Sequence, residues 1–305
     1  MSLLAYTGHE AAQQVVNALS LGSVYALLAL GVAAVFSILG LINFAHGELV
    51  TLSGMMMYLL GTNGVPWAAI IPLTILTGGA AAIVMERIAF RPVRGAPAVT
   101  LLLTSLGLSI IIQNVFLIAG FGAQSRNVNI PDWTNSTFHV GSVIVQWFDV
   151  ATVLSTAAAL GLLTLFLRKS VRGLALRAAS EDFTATRLMG IRANSVIMLA
   201  FLVSGLLAGL AAFFYIGALG QVGYNYGFTP LLKGFIAAVI GGLGSLSGAV
   251  LGGFILAALE ILFQVVLPSE NTPFYEAIVF AIVIFVLLVR PQGVLAGRGI
   301  GIERV

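Results

Sequence analysis

The sequence has no cysteine and few charged residues, and each of these shortages excludes a class of protein. Without cysteine there are no disulfides and no thiolate metal sites. The three histidines lie far apart in the sequence, so we expect no histidine metal site. Charged residues make up 8% of the 305, whereas a soluble domain carries about 25%. So few charges cannot cover a water-soluble surface of this size.

Two further absences concern energy and catalysis. No segment matches the phosphate-binding loop G-x-x-x-x-G-K-[ST], and no polar stretch is long enough to form a nucleotide-binding domain. Catalytic residue types are not clustered, so we expect neither an enzyme nor a cofactor within this chain. No Lys or Arg precedes Arg87, so we expect no cleavable signal peptide with a basic n-region.

Long apolar runs are what the sequence has instead. Hydrophobic residues make up 59% of the chain, and its mean hydropathy is +1.07. Runs near the roughly 20 residues that cross a bilayer lie at 12–40, 66–88, 98–120, 149–168, 195–217 and 273–290. The shorter run 45–61 either crosses or re-enters, and the longer run 230–267 contains a glycine-rich break that divides it into two spans. We therefore predict an all-α fold, a polytopic transmembrane helical bundle of eight or nine spans that forms one domain, 1–305.

Basic residues predict the orientation of the bundle. Apart from Arg126 and Lys233, all Lys and Arg residues lie in three polar segments: 87–94, 168–192 and 290–304. Such segments face the cytoplasm, and the number of spans between them agrees with that placement. The C-terminus is then cytoplasmic, and the N-terminus is outside if 45–61 crosses. The same bias explains the pI of about 9.4, so we expect no nucleic-acid partner.

The polar segment 168–194, called the connector below, carries helix signals. We predict a short helix at about 181–189. Its signals are an N-cap hydroxyl, two carboxylates in the first turn, a cation in the last turn and a helix-ending glycine: Ser180, Glu181, Asp182, Arg187 and Gly190. The connector is either a solvated link between spans or a docking element for a cytoplasmic partner. We expect Phe183, Leu188 and Met189 to be exposed, and these apolar side chains favour docking.

Two breaks in the apolar runs are candidates for a transport pathway. The first break, 40–48, places Asn43, His46 and Glu48 between two apolar stretches. It is either an ordinary turn or a polar interruption that lines the pathway.

The second break, 241–248, is rich in glycine. Its glycines either pack two helices closely or open the backbone beside the pathway, and Gly241 and Gly244 are the candidates there. Glu260 is the ionisable side chain that lies well inside a predicted span, and it completes the set of pathway candidates. One such group is little support for a proton relay, so we favour ATP use by partner subunits over ion coupling.

Five motifs follow one another along the chain: LINFAHGE at 41–48, FRPVRG at 90–95, LTSLGL at 103–108, the glycine-rich stretch 234–253 and VRPQG at 289–293. Together they resemble the signatures of the branched-chain amino-acid ABC importer permeases of the LivH type. The resemblance covers nearly the whole chain, and the ordered set is more specific than any single motif.

The resemblance implies the permease subunit of an ATP-driven importer. Such a subunit moves branched-chain or similar small amino acids into the cytoplasm by alternating access. It lies in the bacterial inner membrane with a second homologous permease, cytoplasmic ABC ATPase subunits and a periplasmic substrate-binding protein. Relatives with these signatures also carry urea or short amides, so an importer of those substrates is an alternative. An ion-coupled secondary transporter that acts without an ATPase is another.

The resemblance also implies that the connector couples the bundle to the ATPase subunits. The coupling candidates are Arg177, Ala178, Glu181, Asp182, Phe183, Ala185, Arg187 and Gly190. The Glu-Ala-Ala that usually leads the coupling motif is absent, and Arg177-Ala178-Ala179 stands in its place.

Overall fold

The computed structural model describes residues 8–40, 42–267, 274–289 and 293. Helix dominates them, because backbone N–H and C=O groups in hydrocarbon need partners within their own segment. The helices are α1 (Gly8–Leu39), α2 (His46–Thr62), α3 (Trp67–Met85), α4 (Ala98–Phe116), α5 (Trp147–Lys169), α6 (Val171–Glu181), α7 (Phe183–Leu188), α8 (Ala193–Leu219), α9 (Phe228–Gly241), α10 (Leu246–Val266) and α11 (Tyr275–Val289). Short π-helical turns, Glu86–Phe90 and Leu117–Phe121, extend α3 and α4. The predicted all-α fold class is confirmed.

Four short strands lie in the polar links. They are β1 (Arg126–Asn127), β2 (Thr137–Val140), β3 (Val143–Gln146) and β4 (Gln221–Val222). β2 and β3 form an antiparallel hairpin, and β1 pairs antiparallel with β4. The second pairing ties the long loop after α4 to the end of α8. Strands of two to four residues carry no hydrophobic periodicity, which is why the sequence did not predict them.

Six helices in the described part of the chain are long and apolar enough to cross a membrane: α1, α3, α4, α5, α8 and α10. Three shorter ones complete the bundle, namely α2, α9 and α11, with 17, 14 and 15 residues. The predicted division of 230–267 is confirmed: it forms two helices, α9 and α10, and the chain turns between them at 242–245. These nine described bundle helices agree with the predicted eight or nine spans.

Contacts between the links define two ends of the bundle. Arg94, between α3 and α4, donates to Oδ1 of Asn194 at the start of α8, so two basic segments share one end, the basic end. In the first half of α1, the Ser20 hydroxyl donates to Oδ1 of Asp149, in the first turn of α5, at 2.6 Å. α1 therefore begins at the opposite end, the loop end, beside the long loop after α4. The segment 290–304, apart from Gly293, lies outside the described residues.

The helices α1 and α8 are the most deeply buried, whereas α4 and α5 leave most of their surface uncovered in this single chain. Small residues let α3 and α8 approach each other. A Cβ added to Gly78 would lie 2.3 Å from the carbonyl oxygen of Gly205, and one on Gly209 would lie 2.8 Å from the Ile75 backbone. Close backbone approach of this kind is how helices pack in lipid, where no hydrophobic effect drives them together.

Candidate functional site

The first break turns the chain back into the bundle. α1 ends at Leu39, and α2 starts at His46, whose ring lies between α1 and α8. A Cβ on Gly31 of α1 would lie 2.9 Å from that ring, so the glycine makes room for it. Gly31 is eight residues before the end of α1, which places the ring roughly 12 Å inside the basic end at 1.5 Å per residue. The chain therefore turns back into the bundle at the bend, and α2 continues from there towards the loop end.

The imidazole of His46 is fixed at one nitrogen. The Ser204 hydroxyl lies 3.1 Å from Nδ1 and donates its single proton to the Gly31 carbonyl at 2.7 Å. Nδ1 must therefore be the donor to the Ser204 oxygen. Nε2 is buried and has no hydrogen-bond partner among the described residues. His46 thus packs inside the bundle with one ring nitrogen hydrogen-bonded and the other buried.

Glu48 is buried on the other side of α2, against α4. Its Oε1 accepts from the Ser109 hydroxyl at 2.8 Å and from the Gln113 amide at 2.7 Å. Its Oε2 is buried without a hydrogen-bond partner in the described part of the chain. The carboxyl group is only 1% exposed, so it is sealed between two helices rather than presented to a channel.

Polar groups of the bend form hydrogen bonds within the protein. Asn43 Oδ1 accepts from the Ala45 amide at 3.0 Å, and Ser105 of α4 accepts from the Phe44 amide at 3.2 Å. Farther along α2, Thr51 accepts from the amide of the residue that precedes α9 at 3.0 Å. Side chains of the bend and of neighbouring helices therefore hold the first break closed.

A buried ion pair and its neighbours join four helices. This group, the ion cluster, consists of Tyr25, Lys233, Glu260 and Glu276. Lys233 of α9 donates to Glu260 Oε2 of α10 at 3.0 Å, and both side chains are less than a tenth exposed. The Tyr25 hydroxyl of α1 donates to the same oxygen at 2.7 Å, and its ring centroid lies 5.5 Å from the ammonium nitrogen. Glu276, half exposed in the first turn of α11, lies 3.3 Å from the same ammonium. Glu260 is therefore the partner of a cation and a phenol, and not an isolated carboxyl group.

The second break combines close packing with an open turn. A Cβ on Gly241 would lie 1.9 Å from the Gly248 carbonyl oxygen, so α9 and α10 meet backbone to backbone there. Between them Gly244 has φ +94°, a conformation that side-chain-bearing residues rarely adopt. Gly241 is thus a packing position and Gly244 a turn position.

A cavity of about 840 Å³, the basic-end cavity, opens beside that turn. Its walls come from α1, α5, α6 and the start of α10. The charged and hydroxyl-bearing residues on its walls are Ser37, Thr164, Arg168, Arg177, Ser180, Glu181, Ser245 and Ser247. Gly244 lines the same cavity. One pathway candidate therefore lies beside two coupling candidates, Arg177 and Glu181.

The connector forms two helices, so the predicted single helix at 181–189 is wrong in its start. Ser180 is not an N-cap, because it lies inside α6 and its hydroxyl donates to a carbonyl one turn back at 2.7 Å. Ser170 caps α6 and Asp182 caps α7, and each accepts from the amide three residues later, at 2.8 and 2.9 Å. Asp182 has the extended backbone that an N-cap needs. Gly190, with φ +83°, has the left-handed conformation predicted for the helix end.

The helix α6 separates two spaces. One face lines the basic-end cavity, and the other lines a groove of about 440 Å³ against the start of α8. The connector also exposes an apolar set, the connector surface, with the members Val171, Leu174, Leu188 and Met189. Phe183, expected to be exposed, is half-buried against the core.

At the loop end, a third space of about 420 Å³ lies between α1, α5 and α8. It is lined by several polar side chains, among them Asn17, Ser20, Gln146 and Asp149. The bundle thus has openings at both ends. Asn43, His46 and Glu48 line none of these three spaces.

Comparison with known proteins decides the class of the chain. The family described as "Branched-chain amino acid transport system / permease component" matches residues 14–288. The chain belongs to this family. It is 34% identical to the high-affinity branched-chain amino acid transport system permease protein BraD of Pseudomonas aeruginosa, over 93% of this chain and 95% of BraD. It is 36% identical to the corresponding LivH proteins of Escherichia coli and Salmonella typhimurium, over 93% of this chain and 94% of each. No solved structure matches the chain.

This permease is a multi-pass membrane transport component, and the prediction that it is not an enzyme is confirmed by its relatives. The six pathway candidates do not converge within it. Asn43, His46 and Glu48 form one sealed cluster, Glu260 lies in the ion cluster, and Gly241 packs α9 against α10. Gly244 alone among the six lines the basic-end cavity.

Several partners of these groups in the permease were missed from the sequence. Ser105, Ser109 and Gln113 recur every four residues along α4 and form a polar stripe on that helix. That spacing places them on one face and was a usable signal for a buried polar contact. Tyr25 and Ser204 gave no comparable signal, because neither belongs to a polar stripe with helical spacing.

Proposed function

We propose that this permease is the membrane-spanning subunit of an ATP-driven importer of branched-chain or similar small amino acids, which works by alternating access. The observation that carries the proposal is the match along nearly its whole length to permeases of systems named for those substrates. The leucine-rich wall of the basic-end cavity supports it, because aliphatic side chains are accommodated best by apolar surfaces.

The proposed location is the bacterial inner membrane, with the basic end in the cytoplasm. Nine Lys and Arg residues lie in the two described basic segments, whereas Arg126 lies in β1 at the loop end. An excess of this size is typical of cytoplasmic loops. Since α10 ends at the loop end and α11 returns from it, the C-terminus would also be cytoplasmic.

Cytoplasmic ABC ATPase subunits would dock on the connector and hydrolyse the ATP. The connector surface supports this part of the proposal, because Leu188 and Met189 are 85% and 70% exposed beside basic residues. Asp182 would act by capping α7, and Phe183 by anchoring that helix to the bundle. Ala178, Ala185, Arg187 and Gly190 would shape the docked face. Arg177 and Glu181 line the basic-end cavity instead.

Two further partners follow from the same proposal. A second homologous permease would cover part of the exposed flanks of α4 and α5. A periplasmic substrate-binding protein would dock at the loop end, near the β2–β3 hairpin and the polar 420 Å³ space. The surrounding lipid would cover the remaining apolar surface.

The ion cluster argues against the ion-coupled alternative. A proton carrier needs a buried group that gains and loses a proton during each cycle. Glu260 already receives a hydrogen bond from Tyr25 and an ion pair from Lys233. These contacts favour a structural role for the cluster.

The test is purification of the permease from native membranes in mild detergent, followed by reconstitution into proteoliposomes. We expect ATPase subunits and a second permease to co-purify, and radiolabelled leucine uptake to require both ATP and the binding protein. A complex with an inactivated ATPase is the control and should give no uptake. Uptake of urea but not leucine would show that the proposed substrate is wrong. Uptake by the permease alone, without ATP, would overturn the proposal of an ATP-driven importer.

A further inference from the structure

The basic-end cavity carries a positive and a negative side chain on one wall. Arg177 and Glu181 are one helical turn apart on α6, and Nε of the first lies 3.9 Å from Oε1 of the second. The two side chains are 54% and 74% exposed. An exposed pair at that distance holds its partners weakly, so both charges remain available to a ligand.

Two helix ends also reach the cavity. α10 begins at the cavity, where the Ser245 hydroxyl accepts from the Gly248 amide at 3.1 Å, and Ser247 lines the wall. The start of a helix favours an anion. The last turn of α1 reaches the cavity through Ser37, and the end of a helix favours a cation.

The rest of the lining is mostly aliphatic, although Arg168 and several hydroxyl-bearing residues also lie on it. Its large aliphatic residues include Leu30, Leu160, Leu163, Leu176 and Val250. An ammonium group, a carboxylate group and an aliphatic side chain on one small molecule would therefore each find a complementary surface. Neither ATPase docking nor helix packing requires this combination.

We propose that the basic-end cavity is a low-affinity exit site that recognises zwitterionic aliphatic amino acids at both charged ends. Arg177 and the start of α10 bind the carboxylate, Glu181 binds the ammonium group, and the leucine wall holds the side chain. The inference deepens the proposed function and rests on it for the choice of substrate. Binding there is weak because the charged side chains are exposed to solvent.

A thiol-protection assay tests this site without depending on transport. Because the chain has no cysteine, Thr164→Cys places a single thiol on the cavity wall of this permease. The complex is purified in lipid nanodiscs, and the rate of maleimide labelling of this chain is measured. L-leucine at about twice its Kd should slow labelling by about threefold, because occupancy is then near two thirds. Leucinamide lacks the carboxylate and 4-methylpentanoate lacks the ammonium group, so each should need roughly tenfold more ligand.

Two variants separate the roles of the charges. With Arg177→Gln, leucine should lose its advantage over leucinamide. With Glu181→Gln, leucine should lose its advantage over 4-methylpentanoate. Arg172→Gln is the matched control, because that arginine lies on the opposite face of the same helix and lines the 440 Å³ groove. A Ser195→Cys reporter in that groove should show no protection.

The outcomes distinguish this site from the proposed function. ATPase co-purification and ATP-driven leucine uptake are measured on the same preparations. Normal uptake without leucine protection at Thr164→Cys would overturn the exit site alone. Equal protection by all three ligands, or equal effects of Arg172→Gln and Arg177→Gln, would overturn recognition by two charges. Protection without any leucine uptake would support the site and count against the importer.

Discussion

The two breaks interrupt the bundle in opposite ways. The first is held by side chains: Asn43, His46 and Glu48 are at most 6% exposed, and each is hydrogen-bonded within the protein. The second is held by backbone contact between α9 and α10, and its turn lines the basic-end cavity. A break that buries polar side chains becomes sealed, whereas a break of bare glycine backbone leaves its turn open.

The difference has a physical cause. Buried polar side chains need partners on neighbouring helices, so the first break draws α1, α4 and α8 around itself. Glycine has no side chain to satisfy, so the second break needs only that its flanking helices stay together. The ion pair between Lys233 of α9 and Glu260 of α10 holds these two helices together. The first break is therefore held by side chains from several helices, and the second by contacts between its two flanking helices.

Loss of the ion pair between Lys233 and Glu260 should have the largest effect on stability. Lys233→Met removes the cation and leaves the buried Glu260 with only its phenol donor, which should lower the free energy of unfolding by about 3–5 kcal/mol. The measurement is thermal or denaturant unfolding of the purified permease in detergent. The double variant Lys233→Met/Glu260→Gln removes both charges and should recover most of the loss. A Lys233→Met variant as stable as wild type would show that the ion pair does not hold α9 and α10 together.

Crowding the contact between α9 and α10 should have the next largest effect. Gly241→Ala places a Cβ 1.9 Å from a carbonyl oxygen, so the helices must separate, at a cost of about 3 kcal/mol. Gly161→Ala is the control, because a Cβ on that glycine of α5 would meet no atom within 4 Å outside its own helical turn, and alanine favours helix. Unfolding midpoints of the two variants should move in opposite directions. Equal midpoints would mean that the second break is not held by backbone contact.

Removal of a side chain from the sealed break should cost somewhat less. Glu48→Ala leaves the Ser109 hydroxyl and the Gln113 amide without their acceptor, a loss of about 2 kcal/mol. Glu48→Gln keeps an acceptor oxygen at that position and should lose less than half as much. Leucine uptake by the Gln variant should remain close to wild type, since Glu48 lines none of the three cavities. A Glu48→Gln variant that folds normally but fails to transport leucine would show that Glu48 takes part in the transport pathway.

The sequence predicts the helices of this bundle well, because apolar runs of bilayer length report directly on helices in a membrane. It predicts the sites less well. Glu260 was placed correctly inside a span, but its pairing with Lys233 depends on how α9 and α10 turn about the second break. The N-cap of α7 was missed because Ser180 and Asp182 both suit an N-cap, and only the backbone bend at Asp182 decides between them. Cavities depend on packing among distant segments, which no local pattern reports.

The smallest effect is expected at the open break itself. Ser245→Ala removes the hydroxyl that accepts from the Gly248 amide, so α10 loses its N-cap and about 1 kcal/mol of stability. Ser247→Ala should be close to neutral, because its hydroxyl meets that of Ser245 at 3.3 Å and caps nothing in the described chain. Unfolding midpoints measured side by side give the comparison. If Ser245→Ala cost as much as Glu48→Ala, side chains would hold the second break as well, and the contrast between the two breaks would fail.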